Sequence, residues 1–183
     1  MIVIKLGGSL AESHTLLHCL NRVEQSYQGR AVVIVPGGGA FAEQVRIAQQ
    51  HWQFDDYHAH AMALLAMQQM AWLIKGLKND FVMVQSVTAI KQQREQKIMV
   101  WSPELTELNQ AGIPASWELT SDSLAAWLAN TLLADELILV KSAVIDAELS
   151  LAQLTEHGVI DKGFCDSVAD TRFIIRVINQ QNF

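Results

Sequence analysis

Ile2-Val3-Ile4-Lys5-Leu6-Gly7-Gly8-Ser9 is an apolar β-type run that stops at a glycine pair, and Ala31-Val32-Val33-Ile34-Val35-Pro36-Gly37-Gly38-Gly39 repeats the pattern. A short run that is apolar on both faces reads as a parallel strand covered by helices above and below. Glycines at its end let backbone N–H groups close on an anion, and a helix starting there adds about half a positive charge. Lys5 sets a flexible ammonium beside the first loop, well suited to non-bridging phosphate oxygens. Two such loops so close in sequence point to a polyphosphate site and to phosphoryl transfer.

Working outward, residues 12–27 predict an amphipathic helix with Leu16, Leu17, Leu20 and Val23 at helical spacing. With strand 31–35 and a helix over 41–50 this makes a βαβα unit. A long helix rich in Ala, Met and Leu follows over 56–75 and ends near Gly76. Apolar runs at 81–84, 98–101 and 137–140 predict further strands, and 173–178 a final one. Ile113-Pro114-Ala115 reads as a brief edge or connecting strand, because proline removes a ladder donor. Residues 120–133 predict a helix capped by Thr120 or Ser121, and 151–157 a short one. This alternation argues for an α/β fold with an open, largely parallel sheet, ligands sitting beyond the carboxyl ends of its strands.

A chain of 183 residues, 50% hydrophobic and free of low-complexity runs, suits one ordered domain over 1–183. Its net charge of −6, with no basic stripe, argues against nucleic acid as a partner. No basic segment leads into an apolar stretch near the first strand, and no window approaches the run of about 18 apolar residues that a spanning helix needs. A cytoplasmic protein without membrane contact is expected. Cys19 and Cys165 lack metal-ligand spacing and read as reduced structural thiols.

No G-x-x-x-x-G-K-[ST] string occurs, which excludes an ordinary P-loop. Gly37, Gly39 and Ala42 satisfy G-x-G-x-x-A, with Asp55 or Asp56 in reach of a ribose, but a dinucleotide-binding reading leaves the Lys5-Gly7-Gly8 loop without a role.

Taken in order, Lys5-Leu6-Gly7-Gly8-Ser9, Pro36-Gly37-Gly38-Gly39 and Thr120-Ser121-Asp122-Ser123-Leu124-Ala125-Ala126 resemble the signatures of the amino acid kinase family. The resemblance covers residues 1 to about 146. It implies a three-layer αβα sandwich with ATP, carried with Mg²⁺, over the carboxyl edge of the sheet. The γ-phosphoryl group would pass to a small-molecule phosphate or carboxylate acceptor. Lys5 would contact the transferring group, Gly7, Gly8 and Ser9 would bind the ATP phosphates, and Gly37, Gly38 and Gly39 would line the acceptor side. Asp122 matches the acidic residue that organises the charged groups. His60, in Asp55-Asp56-Tyr57-His58-Ala59-His60, matches the histidine with which some members hold an acceptor phosphate.

Two departures stand out. The strand expected to meet the adenine ends in Val140-Lys141-Ser142-Ala143-Val144-Ile145-Asp146 instead of Thr-Asp-Val-Asp-Gly. The downstream glycine-rich segment with a second phosphate-neutralising lysine is missing. Lys141, at a strand's carboxyl end and so aimed at the ligand crevice, is expected to replace it, with Lys162 as the other candidate. The short chain and the His60 region most resemble small members acting on [5-(aminomethyl)furan-3-yl]methyl phosphate in methanofuran-type cofactor synthesis. An acyl amino acid or nucleoside monophosphate acceptor, or a non-catalytic nucleotide or oxyanion sensor, stay open. Arg22, Arg46, Arg94, Arg172 and Arg176 are candidate arginines for an acceptor. The apolar 61–74 helix is expected to pair copies into a homodimer or higher homo-oligomer.

Overall fold

A computed structural model describes residues 1–93, 97–146 and 148–183. Six strands, β1 (Ile2–Leu6), β2 (Val32–Pro36), β3 (Val82–Val84), β4 (Ile98–Trp101), β5 (Glu136–Lys141) and β6 (Ile174–Asn179), form one sheet in the order β3-β4-β2-β1-β5-β6. Every pairing is parallel. The central strands β1 and β2 are buried along their whole length, as continuous apolar runs demand.

Helices cover both faces. On one lie α1 (Thr15–Ser26) and the C-terminal half of α3 (Asp56–Leu77), packed on Ile2, Ile4, Val32, Ile34 and Ile138. The other carries α4 (Val87–Gln92), α5 (Leu105–Gln110), α6 (Ser121–Leu132), α7 (Leu151–Glu156) and α8 (Phe164–Ser167), packed on Val3, Val33, Leu137 and Leu139. The split follows strand alternation, since successive side chains point to opposite faces. α2 (Gly39–Trp52) leaves the second glycine loop and lies against α3. The result is the expected three-layer αβα sandwich.

Two boundaries differ from the sequence reading. The helix expected from residue 12 begins at Thr15, because Gly8–Glu12 forms a 3-10 helix that buries Leu10, and Ser13 is extended. Only the second glycine loop therefore runs straight into an α-helix. Ile113-Pro114-Ala115 is not a strand: the Ile113 N–H donates to the Leu108 carbonyl at the end of α5, and Pro114 has no N–H to offer a sheet. No helix among the described residues is long and apolar enough to cross a membrane.

Candidate active site

The register of β1 and β5 places Lys5 opposite Leu139, so Lys141 lies two residues farther along the neighbouring strand and on the same face. That face is roofed by α6, whose first turn carries Asp122. The three meet: Lys5 Nζ is 2.8 Å from Asp122 Oδ1 and Lys141 Nζ is 2.5 Å from Asp122 Oδ2. Lys5 and Asp122 are only 5% and 3% exposed. Burial opposes ionisation of Asp122, but the Lys5 and Lys141 ammoniums outweigh it and hold the carboxyl below its usual range. Lys141 is pulled the other way: burial first, then the Lys5 charge, bring it down to about 8 against the attraction of Asp122 and Asp161. Taking charges out of water is costly, so a buried cluster at the end of a sheet marks a site where the field is used.

The glycine loops meet beside this cluster. The Gly7 N–H donates to the Val140 carbonyl at 3.0 Å and the Gly37 N–H to the Leu6 carbonyl at 2.9 Å, so each loop continues the ladder before turning off it. A Cβ on Gly8 would fall 2.1 Å from the Gly39 nitrogen, and one on Gly37 2.6 Å from the Gly8 nitrogen. The loops thus touch backbone to backbone. Gly39 also has φ +55°, and α2 starts there with no side chain capping its N-terminus, which leaves its field directed at the crevice. Ser9 Oγ lies 2.8 Å from Ser142 Oγ and ties the first loop to the end of β5.

A cavity of about 320 Å³ opens in front of the loops, bounded by Gly8, Ser9, Gly37, Gly38 and Gly39, by α2 and α3, and by residues 116–121. His60 lines it at 7% exposure, and its Nε2 has no hydrogen-bond partner among the described residues. Burial lowers the pKa of His60, so the ring stays neutral at pH 7. His58 is spent elsewhere, 2.7 Å from Asp55, whose side chain caps α3. That cap also removes Asp55 as a ribose ligand and weakens the dinucleotide reading.

Arg46 is the arginine at the cavity, its guanidinium 4.4 Å from the centre of the Trp117 ring. Arg22 binds the Phe183 carbonyl, Arg176 faces Glu136, Arg172 is exposed ahead of β6, and Arg94 lies outside the described residues. Lys162 is 77% exposed and faces Glu118 at 3.6 Å, so Lys141 is the second cation at the site.

Sequence reasoning missed Trp117 and the acidic side chains Glu12 and Glu43 that line the cavity, and weighed Asp56, which lines it too, only as a ribose ligand. Trp117 Nε1 donates to Gln49 Oε1 at 2.6 Å and Gln49 Nε2 to Asp56 Oδ1 at 2.8 Å, a polar chain along one wall. The i,i+3 spacing of Glu43 and Arg46 could have pointed to that face of α2. Nothing local marks Trp117, which sits in an irregular segment. Among the described residues no group of three or more His, Cys, Asp or Glu is placed to hold a metal ion.

The sequence model of the amino acid kinase family matches residues 1–144. The chain belongs to the amino acid kinase family. A [5-(aminomethyl)furan-3-yl]methyl phosphate kinase from Methanocaldococcus jannaschii is 26% identical over 144 residues, 76% of this chain. The match spans 64% of that relative's length. Uridylate kinase from Archaeoglobus fulgidus shares the fold with a TM-score of 0.75 and 18% identity, over 99% of this chain and 92% of that one. Aspartate kinase from Synechocystis does so with a TM-score of 0.73 and 15% identity, over 99% and 38%. The three signatures read in the sequence are therefore those of this family, and its αβα fold is the one observed.

Proposed function

We propose that this member of the amino acid kinase family transfers the γ-phosphoryl group of ATP to a small phosphate monoester. The observation that carries the reading is the buried Lys5–Asp122–Lys141 cluster beside two contacting glycine loops. Phosphoryl transfer needs positioning and neutralised charge on the equatorial oxygens more than acid–base work. Lys5 and Lys141 would supply the two cations, Asp122 holds them in place, and Gly7, Gly8 and Ser9 would bind the ATP phosphates. Mg²⁺ brought with the nucleotide would supply further charge neutralisation at the phosphates that Gly7, Gly8 and Ser9 would hold.

On the other side of the crevice, Gly37, Gly38 and Gly39 and the free N-terminus of α2 would take the acceptor phosphate. His60 Nε2, neutral and unpartnered, can donate to it. The cavity's carboxylates Glu12, Glu43 and Asp56 outnumber Arg46, a balance that suits an acceptor bearing a positive group at its far end. The Trp117 ring suits a planar one. Those features favour an aminated aromatic phosphate such as [5-(aminomethyl)furan-3-yl]methyl phosphate over a carboxylate, since Arg46 already stacks on Trp117 and pairs with Glu43 at 3.5 Å. A cytoplasmic site of action and a place in methanofuran-type cofactor synthesis are part of this reading. So is a homodimer formed by the exposed apolar residues of α2 and α3.

ADP release from MgATP tests it, with the aminomethylfuran phosphate, nucleoside monophosphates and acyl amino acids as acceptors. Turnover with the aminated phosphate is expected. His60→Ala should then raise the acceptor KM by roughly 10- to 100-fold with a smaller effect on kcat, the worth of one charge-assisted hydrogen bond. ATP binding without turnover on any acceptor would overturn the reading in favour of a sensor.

A further inference from the structure

We propose that Asp161 is the positioning residue of the catalytic cluster: it clamps the first turn of α6 so that the Asp122 carboxylate meets both lysines at once.

Asp161 lies between α7 and α8, in the stretch where Lys162 drew attention in the sequence. Its Oδ2 accepts from Thr120 N at 2.8 Å, Thr120 Oγ1 at 2.8 Å and Ser123 N at 3.2 Å, and its Oδ1 from Ser123 Oγ at 2.5 Å. Its own backbone N–H donates to Asp122 Oδ2 at 3.3 Å. Thr120 occupies the N-cap position of α6 but makes no capping bond of its own, so Asp161 caps this helix from a remote part of the chain. The residues that bracket Asp122 are therefore held by one side chain, and the carboxylate of Asp122 by that residue's backbone.

The clamp is itself rigid. Ile160 and Phe164 on either side of it are buried at 2% and 0% exposure, and the Gly163 N–H donates to the Glu118 carbonyl at 2.7 Å. Four hydrogen bonds, three to Oδ2 and one to Oδ1, tie the Asp161 carboxylate to the first turn of α6, which makes it a positioning group. It also completes the charge balance. The leading charge effects on Lys141 come from Lys5 on β1, Asp122 on α6 and Asp161 here, so within this group two cations face two anions. An incoming polyphosphate would meet ammoniums already aligned, with no side chain to reorganise.

The kinetic arm of the test rests on the kinase reading, and a second arm does not. Asp161→Asn keeps the size of the side chain but removes its charge. It should lower kcat at least about 10-fold with the acceptor KM within about 2-fold, the pattern of a loss felt only in the transition state. It should also move the titration of Lys141 to lower pH by about half a unit or more, because an attractive charge is gone. That titration is followed without turnover, by carbon NMR of protein labelled at the lysine ε-carbon and assigned with Lys141→Arg. Ser123→Ala removes one donor and leaves every charge in place, so kcat should fall while the Lys141 titration stays put.

Asp161→Asn with unchanged kcat and unchanged titration overturns the proposal, as does a Ser123→Ala titration that shifts as far as that of Asp161→Asn. If Asp161→Asn does not fold, Ser123→Ala decides, and wild-type kcat in that variant overturns it. If the wild-type protein turns over no acceptor, the kinase reading fails and the NMR comparison alone judges Asp161.

Discussion

Lys141 is the side chain whose charge is most finely set. Its pKa of about 8 lies below the free value of 10.5, so the folded protein releases this proton while an unfolded chain still holds it. In the free enzyme kcat/KM should therefore fall as pH rises through about 8, and the pH profile of Lys141→Met should lack that limb. Stability responds in the opposite direction. Between about 8 and 10.5 the unfolded state binds more protons at this group, so its contribution to stability grows with pH, which denaturant midpoints across that window would register. Lys5→Ala should cost roughly 10²- to 10³-fold in kcat, the scale of one preorganised charge contact. The fold should survive, because Asp122 keeps Lys141 as its partner. An equally active Lys5→Ala protein would sink the mechanism. The placement of these two lysines at one end of the sheet was readable from glycine neighbours and strand ends, but their common carboxylate was not a matter of spacing. Lys5, Asp122 and Lys141 come from three separate elements, and strand register aligns the two lysines while the packing of α6 on the sheet brings Asp122 to them.

At the scale of elements, the two glycine loops act as one unit. Gly8→Ala would drive a Cβ to 2.1 Å from the Gly39 backbone nitrogen, a contact that no side-chain movement relieves. The expected result is a loss of roughly 1–3 kcal/mol or more by denaturant titration, together with weaker binding of both substrates. Gly76→Ala, in open space within α3, is the control and should be neutral or slightly stabilising. The central strands β1, β2 and β5 were readable from their apolar runs because a parallel strand buried on both faces leaves no other pattern. The irregular pieces were not. The 3-10 helix at Gly8–Glu12 forms because Leu10 finds a buried place in the core, and residues 113–119 stay out of the sheet yet bring Trp117 to the cavity wall. Both are fixed by what lies across from them and carry no periodic signal.

At the scale of the whole molecule, an exposed apolar surface lies on α2 and α3, where Phe41, Met62, Leu65 and Trp72 are 41%, 38%, 55% and 66% exposed. The last two are seven residues apart and share a helix face. Sedimentation velocity should find a dimer, and Leu65→Glu should shift it toward monomer without changing the far-ultraviolet circular dichroism; a monomeric wild type would remove the interface. What the sequence determined by itself is local and repetitive: strands from continuous apolar runs, tight loops from glycine at their ends, a helix start from Thr120-Ser121-Asp122. Those rest on short-range sterics and on burial of one period of side chains, which need no partner to be named. Tertiary structure alone brought Lys5 and Lys141 onto the two oxygens of Asp122, joined Trp117 to Gln49 at the cavity wall, and set Asp161 against the first turn of α6. Each of these is a pairing between remote parts of the chain, set by sheet register and by the cost of leaving a buried charge or hydrogen-bond donor without a partner.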